Sequence, residues 1–185
     1  MSKKEILMDR QALGAALDQM AEGILALEPD VGRLALIGIR TRGINLAERL
    51  KTRLDHLRGC DVPIGALDIT LYRDDLSTLA KQPIVGETHV SFDVEGREIA
   101  LVDDVLYTGR TIRAALDAIV DFGRPQRIIL AVLVDRGNRE YPIQPDVAVM
   151  RVSTDHNQNI QIHLDDVDGE ENVILVTKGP EDTHF

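Results

Sequence analysis

The sequence has very little cysteine and no long apolar segment. Cys60 is the only cysteine among 185 residues, so no internal disulfide can form and no cysteine-rich metal site can be built. We expect its thiol to be a small buried or half-buried group. No run of about 18 apolar residues is present, and the N-terminal stretch MSKKEILMDRQ lacks the apolar core of a secretory signal. These absences predict a soluble, cytoplasmic protein without a membrane segment.

Basic residues are scarce relative to acidic ones. Lysine and arginine number 21 against 31 aspartates and glutamates, which gives a formal net charge of −10 at pH 7. Such a surface repels phosphate polymers and anionic lipids on average, although a local basic patch can still form. The charge balance argues against non-specific nucleic-acid binding. The five histidines show no metal-ligand spacing.

Apolar residues recur with helical and strand spacing in alternation along the chain. Asp9 is a candidate cap for the first helix, and Gly59 and Gly123 are typical residues at the ends of the second and third. The spacing predicts a first helix with an apolar stripe over 13–24, a second over 47–57 and a third over Thr111–Phe122; it predicts strands over Leu34–Ile39, Ile64–Tyr72, Ile99–Val102 and Ile128–Val134.

This alternation favours an α/β fold, with a mainly parallel, twisted sheet and helices on both faces. A chain of 185 residues with 44% hydrophobic content suits a single domain over residues 1–185. Between Leu71 and Gly96, a polar stretch with Pro83 and Gly86 predicts a mobile arm or hairpin.

The C-terminal region has a different pattern. Apolar runs at Ile160–Leu164 and Val173–Thr177 flank an Asp-Gly pair at Asp168, which predicts a β-hairpin. The acidic run DDVDGEE between them lacks the alternating ligands of an EF-hand loop. We interpret it as a solvated turn.

The stretch ALVDDVLYTGRT, residues 100–111, combines two carboxylates with a glycine-containing loop. In an open α/β sheet, ligands bind beyond the carboxyl ends of strands, where Asp103 and Asp104 are expected. The TGRT loop opens the next predicted helix, whose free amides form an anion site that Gly109 lets a ligand approach. The loop suits a phosphate, and the acids suit sugar hydroxyls or the waters of a magnesium ion. Together they describe a site for a ribose 5-phosphate.

Other interpretations of this stretch explain less of it. An acidic turn followed by an ordinary helix cap needs only Thr108 or Thr111 to accept an end amide. A Walker A loop needs four residues between its glycines and then Lys-Ser/Thr, and the sequence has neither. A phosphoaspartate enzyme would use one of the acids, but it leaves the TGRT loop without a specific role.

VDDVLYTGRT resembles the phosphoribosyl pyrophosphate signature of the type I phosphoribosyltransferases. The longer string LVDDVLYTGRTIRAALDAIVDFGRP is similar to the pyrimidine operon regulatory family, PyrR, whose members also have uracil phosphoribosyltransferase activity. Further matches are IGIRTRGINLAERL at 37–50, LDITLYRDDLS at 67–77 and AVLVDRGNRE at 131–140, so the resemblance spans nearly the whole chain. It implies the type I phosphoribosyltransferase fold, a flexible arm over about 71–96 and a small hood from about 134–185.

The resemblance implies the residues of a phosphoribosyl pyrophosphate site. Asp103 and Asp104 would address the ribose hydroxyls, and Arg42 and Arg73 would neutralise the leaving pyrophosphate while closure of the arm excludes water. Magnesium would travel with the pyrophosphate, held through waters near the two acids and without a direct protein ligand. The implied set is the pyrophosphate loop Thr41, Arg42 and Gly43, the arm residues Tyr72, Arg73, Asp74 and Asp75, and the 5-phosphate loop Thr108, Gly109, Arg110 and Thr111.

The resemblance also bears on the base. Purine members of the wider family carry an acid where this sequence has Tyr107, so a pyrimidine, uracil, is implied, with UMP as the product and UMP or UTP as effector. Base recognition falls on the hood around Val134, Asp135, Arg136 and Gly137. A neighbouring segment, QPDVAVMRVSTDHNQN, departs from the family pattern of an aromatic residue followed by a basic Pro-Thr-Ser run.

The same departures affect the family's second activity, the binding of pyrimidine operon leader RNA. RNA-binding members commonly show Thr-Arg-x-x-His in the first helix, where this chain has Asp18 and Glu22, and Gln144 stands where they carry a basic residue. Arg151 is retained. We therefore predict a homo-oligomer, a dimer or larger, that transfers phosphoribosyl groups to uracil and binds leader RNA weakly or not at all. The alternative is an RNA-binding attenuation regulator with little catalytic activity; an inactive scaffold is disfavoured because no phosphoribosyl-site residue is missing.

Overall fold

The computed structural model describes residues 2–70 and 88–179. Strands and helices alternate over most of this length, as the sequence predicts. The strands are β1 Lys3–Met8, β2 Leu34–Ile39, β3 Ile64–Leu67, β4 Glu98–Leu106, β5 Arg127–Asp135, β6 Val147–Arg151, β7 Gln158–His163 and β8 Asn172–Thr177; the helices are α1 Arg10–Leu27, α2 Arg42–Arg58, α3 Arg110–Val120 and α4 Asp165–Asp168.

A five-stranded parallel sheet forms the centre of the fold, in the order β3-β2-β4-β5-β6. Successive residues of a strand point to opposite faces, and the core divides accordingly. On one face Leu36 and Val102 pack with α1 and α2, and on the other Ile37 and Leu101 pack with α3. The prediction of a parallel sheet covered on both faces is therefore confirmed.

The helix boundaries follow the local signals in the sequence. Asp9 caps α1 by accepting a hydrogen bond from the Ala12 amide at 2.8 Å, and the predicted apolar stripe of this helix is buried. Gly59 ends α2 in the left-handed conformation, at φ +62°. The predicted stripe of α2 extends too far, since Leu57 is 53% exposed.

A second, three-stranded antiparallel sheet joins the two ends of the chain in the order β1-β8-β7. β7 and β8 form the predicted hairpin, with α4 inserted in the connection between them. β1 pairs with β8 over Lys3–Met8, so the N-terminal strand forms one edge of this sheet. Neither β1 nor β6 was predicted from the sequence.

Two strand predictions differ from the structure. The strand that begins at Ile64 ends at Leu67, and the predicted continuation to Tyr72 runs partly outside the described residues. β4 is longer than predicted and reaches Leu106, because β5 continues to pair with it after β2 has ended. Most of the predicted arm, over 71–87, also lies outside the described residues.

Candidate active site

The candidate site lies at the carboxyl end of β4, where the two neighbouring strands differ in length. β2 pairs with β4 only as far as Val102, whereas β5 pairs with it to Leu106. Asp103 and Asp104 therefore stand inside the strand rather than after it, which corrects the predicted boundary. Among the described residues no strand pairs with the two acids on the β2 side, where a Cβ atom on Gly43 would lie 3.4 Å from Asp103 Cα.

The two acids are held by main-chain hydrogen bonds in a buried setting. Asp103 is only 6% exposed, and its Oδ1 accepts from the Asp104 amide at 3.0 Å. The Asp104 Oδ1 accepts from the Val105 amide at 2.8 Å. Burial, and then the neighbouring Asp104 carboxylate, raises the pKa of Asp103 well above its ordinary value, and burial also raises the pKa of Asp104. Partners that donate hydrogen bonds, such as sugar hydroxyls, would offset this desolvation cost.

A backbone contact brings the start of α2 against β4. A Cβ atom on Gly43 would lie 2.6 Å from the Val102 carbonyl oxygen, and one on Gly38 would lie 2.5 Å from the Gly43 carbonyl oxygen. Real side chains do not approach backbone so closely, so both positions require glycine. The contact places the loop before α2, whose Arg40–Thr41 peptide is cis, beside the two acids.

Arg42 and Asp104 line one cavity of about 350 Å³. The opposite wall comes from β7 and α4 and includes Asn159, His163 and Asp168. The Arg42 guanidinium donates to the Asp168 carboxylate at 2.7 and 3.2 Å. This hydrogen bond holds the pKa of Asp168 below its usual range. The cavity lining thus includes a directly bonded ion pair, Arg42 with Asp168.

The acidic segment, defined here as residues 165–171, is largely exposed, as predicted for a solvated turn, but it contains the short helix α4 and is also ion-paired. Asp166 accepts from Asn45 Nδ2 at 2.9 Å and from Arg49 Nη2 at 2.6 Å. Glu171 accepts from Arg49 at 2.5 and 3.2 Å. Asn45 and Arg49 share one face of α2 with Arg42, so the segment docks along that helix.

The TGRT loop forms the beginning of α3. Gly109 is the N-cap residue at φ +91°, and no side chain caps this position. Thr108 Oγ1 accepts only a long hydrogen bond, 3.4 Å, from the Arg110 amide. The Arg110 side chain is exposed, forms an ion pair with Glu140 and stacks on Tyr141. Thr111 lies in the first turn of the helix. The loop places the first backbone amides of α3 at the end of β4, as an anion site requires.

The residues that were predicted for base recognition lie in the last two positions of β5 and directly after it. Val134 is fully buried in the core, on the side of α1 and α2. Asp135 accepts from Arg139 Nη2 and from the Gly137 amide, at 2.7 and 3.0 Å. The guanidinium of Arg136 lies 4.0 Å from the centre of the Tyr107 ring.

The structure brings together three of the four predicted stretches of site residues. Thr41, Arg42 and Gly43 lie beside Asp103 and Asp104, and Thr108–Thr111 follow at the same strand end. Tyr72, Arg73, Asp74 and Asp75 lie outside the described residues. Sequence analysis missed Asn159 and Asp168 as cavity residues; the acidic run was the only signal for Asp168.

The described residues lack two further features. Among the helices of 2–70 and 88–179, none is long and apolar enough to cross a membrane. Over the same ranges, no group of three or more His, Cys, Asp or Glu side chains could hold a metal ion. The oxygen donors of Asp103 and Asp104 suit Mg²⁺, which commonly keeps several of its waters.

Comparison with known proteins identifies this class of fold and site. The Phosphoribosyl transferase domain family matches residues 4–166, so the chain belongs to the phosphoribosyltransferases. Among solved structures, the hypoxanthine phosphoribosyltransferase of Trypanosoma cruzi, as a variant in a ternary substrates complex, has a TM-score of 0.74 at 20% identity and covers 99% of this chain and 98% of its own. A Staphylococcus aureus hypoxanthine phosphoribosyltransferase gives 0.64 at 17% identity, covering 96% and 93%. These likenesses confirm the predicted fold.

Within this class the chain belongs to the PyrR family. The Bifunctional protein PyrR of Pelotomaculum thermopropionicum is 49% identical over 174 residues, which is 94% of this chain and 96% of that protein. The protein of the same name from Deinococcus radiodurans is 50% identical over 179 residues, covering 97% of each. The predicted family and the prediction of a phosphoribosyltransferase enzyme are confirmed.

Proposed function

We propose that this protein transfers the phosphoribosyl group of phosphoribosyl pyrophosphate to uracil, giving UMP and pyrophosphate. The observation that carries the proposal is the pair of the buried Asp103 and the half-buried Asp104 between the start of α2 and the start of α3. Sugar, 5-phosphate and pyrophosphate each find a matching chemical group at this one strand end. The second role of a PyrR family member, regulation of pyrimidine genes, is part of the proposal.

The ribose and its 5-phosphate occupy β4 and the TGRT loop in this proposal. Asp103 and Asp104 accept hydrogen bonds from the ribose hydroxyls, which offsets the cost of their burial. The first amides of α3, with Thr108 and Thr111, hold the 5-phosphate. Gly109 allows close backbone approach because its φ is positive and it has no side chain.

The pyrophosphate occupies the loop Thr41–Gly43. Arg42 supplies positive charge as the bond between ribose C1 and the pyrophosphate oxygen breaks, and Arg73 joins it from the arm. Mg²⁺, held through waters near Asp103 and Asp104, supplies further neutralisation of the pyrophosphate when bound. Uracil N1 forms the new bond to C1, and the proton that N1 loses passes to the departing pyrophosphate. The predicted arm over about 71–96, most of which lies outside the described residues, would exclude water from this centre.

Uracil binds beside Tyr107 and the hood residues Val134–Gly137. The acid that purine members carry is replaced by Tyr107, and this supports a pyrimidine. A uracil turnover assay with phosphoribosyl pyrophosphate and Mg²⁺ tests the proposal. UMP formation supports it, and binding of phosphoribosyl pyrophosphate without any UMP formation would contradict it.

The regulatory role operates with weak RNA affinity in this proposal. Asp18 is half of an ion pair with Arg53 Nε, at 2.6 Å, on the outer face of α1. Glu22, Asp146 and Arg151 line a groove of about 500 Å³ between α1 and β6. The two acids of this groove oppose RNA phosphates, and Arg151 alone favours them. The proposal includes a cytoplasmic homo-oligomer, a dimer or larger, that responds to UMP or UTP; a titration with leader RNA tests the RNA part separately.

A further inference from the structure

Arg136 is a buried cation without a buried anion. The residue is 6% exposed, and burial lowers the pKa of its guanidinium. Within 2–70 and 88–179, no carboxylate forms an ion pair with it, and the adjacent Asp135 pairs with Arg139 instead. An arginine held in this way is costly. Arg136 lies at the carboxyl end of β5, where ligands bind in open α/β sheets, so we interpret the cost of burying it as a requirement of ligand binding.

Neutral oxygens fix the orientation of this guanidinium. Its Nε donates to Thr154 Oγ1 at 3.0 Å, its Nη1 to Asn159 Oδ1 at 2.9 Å, and its Nη2 to the Gln158 carbonyl oxygen at 2.7 Å. Each of the three nitrogens therefore has a partner. Because none of these acceptors is charged, they orient the planar group and leave its positive charge unneutralised.

The oriented guanidinium connects the hood to the end of β4. It lies 4.0 Å from the centre of the Tyr107 ring, and the Arg136 amide donates to the Leu106 carbonyl oxygen at 3.0 Å. Asn159, which holds Arg136, also lines the cavity that contains Arg42 and Asp104. The contacts thus run from the cavity wall through Arg136 to Tyr107.

We propose that Thr154 and Asn159 are positioning residues that hold Arg136 against Tyr107 and thereby set the affinity of the site for a uracil ring. This inference rests on the proposed function, which places the base beside Tyr107. Uracil has two carbonyl oxygens, and negative charge grows on its ring as N1 loses a proton. A fixed, unneutralised guanidinium favours such a ring through its charge.

Thr154 gives the cleanest test because it is buried and acts only through Arg136. Calorimetry compares the affinities for UMP and for ribose 5-phosphate, which share the sugar and phosphate but differ in the base. Thr154→Val removes the acceptor at nearly constant shape, and we expect it to weaken UMP binding by about tenfold, as for the loss of one hydrogen bond to a charged group. Ribose 5-phosphate affinity should remain unchanged, and Thr154→Ser should restore UMP affinity.

Two further variants separate positioning from general damage. Thr52→Val makes the same chemical change on the exposed face of α2, where Thr52 Oγ1 donates to the Glu48 carbonyl oxygen, and should leave both affinities unchanged. In an Arg136→Met background, Thr154→Val should have no further effect on UMP affinity, because the residue acts through Arg136. In turnover assays, Thr154→Val should raise the KM for uracil more than it lowers kcat.

Equal losses for UMP and ribose 5-phosphate, or no loss for either, would overturn the inference. If Thr154→Val does not fold, Thr154→Ala takes its place with the same expected difference between the two ligands. A wild-type protein that binds ribose 5-phosphate but binds UMP no tighter overturns this inference and leaves the phosphoribosyl site standing. A protein that binds neither ligand overturns the proposed function itself.

Discussion

The guanidinium of Arg42 and the carboxylate of Asp168 are joined by two hydrogen bonds, of 2.7 and 3.2 Å, although 126 positions separate these residues in the chain. Arg42 is also the cation proposed to meet the pyrophosphate. In the described structure the Asp168 carboxylate therefore binds the guanidinium that the pyrophosphate would bind in the proposed site. The two anions compete for one guanidinium.

Replacement of Asp168 tests this competition. In Asp168→Asn the diphosphate no longer displaces a charged partner, so we expect affinity for phosphoribosyl pyrophosphate with Mg²⁺ to rise by up to about fivefold, since a partly exposed ion pair contributes at most about 1 kcal/mol. Calorimetry measures the change. Asp165→Asn, which removes the exposed partner of Arg10, is the matched control. Weaker binding in Asp168→Asn would mean that the carboxylate orients Arg42 for the ligand.

Replacement of the buried acids should separate binding from stability. We expect Asp103→Asn with Asp104→Asn to weaken phosphoribosyl pyrophosphate binding by about tenfold or more, because charge-assisted hydrogen bonds to the ribose are lost. The same variant should unfold at a higher temperature at neutral pH, because the raised pKa values mean that the ionised pair destabilises the fold. Asp117→Asn, on the outer face of α3, is the control. Unchanged ligand affinity in the folded double variant would exclude the ribose assignment.

The base preference can be measured directly with radiolabelled substrates. We expect turnover of uracil and none of hypoxanthine or guanine, because Tyr107 and not an acid follows the strand-end aspartates. The Arg136–Tyr107 stack gives this side of the site a fixed aromatic and cationic wall. A preference for either purine would show that Tyr107 does not define the base class.

The docking of the acidic segment should make stability depend on pH. Burial alone would raise the pKa of Glu171, but the hydrogen bonds from Arg49 and from the Asp165 amide, together with the positive charges of Arg49 and Arg10, lower this pKa below its unfolded value. Its contribution is therefore present above the unfolded pKa, about 4.3, and is lost as the pH falls through the lower folded value. We expect Glu171→Gln to unfold more easily than wild type at pH 7, by about 1–2 kcal/mol. Denaturant titrations should show this difference shrinking below about pH 4.5; a constant difference would contradict the assignment.

A titration of the protein's leader transcript at moderate salt tests the RNA prediction. Phosphate contacts dominate such affinity, and Asp18 and Glu22 turn two expected attractions on α1 into repulsions. We expect no nucleotide-sensitive binding at nanomolar concentrations. Asp18→Thr with Glu22→His should restore binding if the loss lies on that helix. Tight binding by the wild-type protein would show that the oligomer gathers arginines into a basic groove.

Local signals in the sequence predict the elements whose stability is local. β2 occupies the predicted Leu34–Ile39, and the Asp9 cap and the Gly59 end are both present, because caps and apolar periodicity act over a few residues. β1 was missed because its pairing partner, β8, lies at the other end of the described chain, whereas β6 was missed although its partner, β5, is the preceding strand. Aspartate is disfavoured in strands, so local preference predicts that β4 ends before Asp103. The strand nevertheless continues through both aspartates, because β5 supplies backbone hydrogen-bond partners there.

The site residues also divide into those that one local motif predicts and those that only the tertiary structure brings together. Asp103, Asp104 and Gly109 belong to one short motif, so their proximity was predicted from the sequence. The contacts of Arg42 with Asp168 and of Arg136 with Asn159 join distant segments. A carboxylate such as Asp168 has the same appearance in the sequence whether it faces water or an arginine. Only the packing of the hood against α2 decides between these environments.

The close approach of Gly38, Gly43 and the Val102 carbonyl oxygen has a consequence for redesign of the protein. Main-chain atoms alone set the spacing between the pyrophosphate loop and the ribose acids, so exchanges of side chains elsewhere leave that spacing intact. The base, in contrast, meets side chains held by other side chains. If the base binds as proposed, a new nucleobase can be sought by varying residues 107, 136 and 154, while the spacing between the pyrophosphate loop and the ribose acids stays constant.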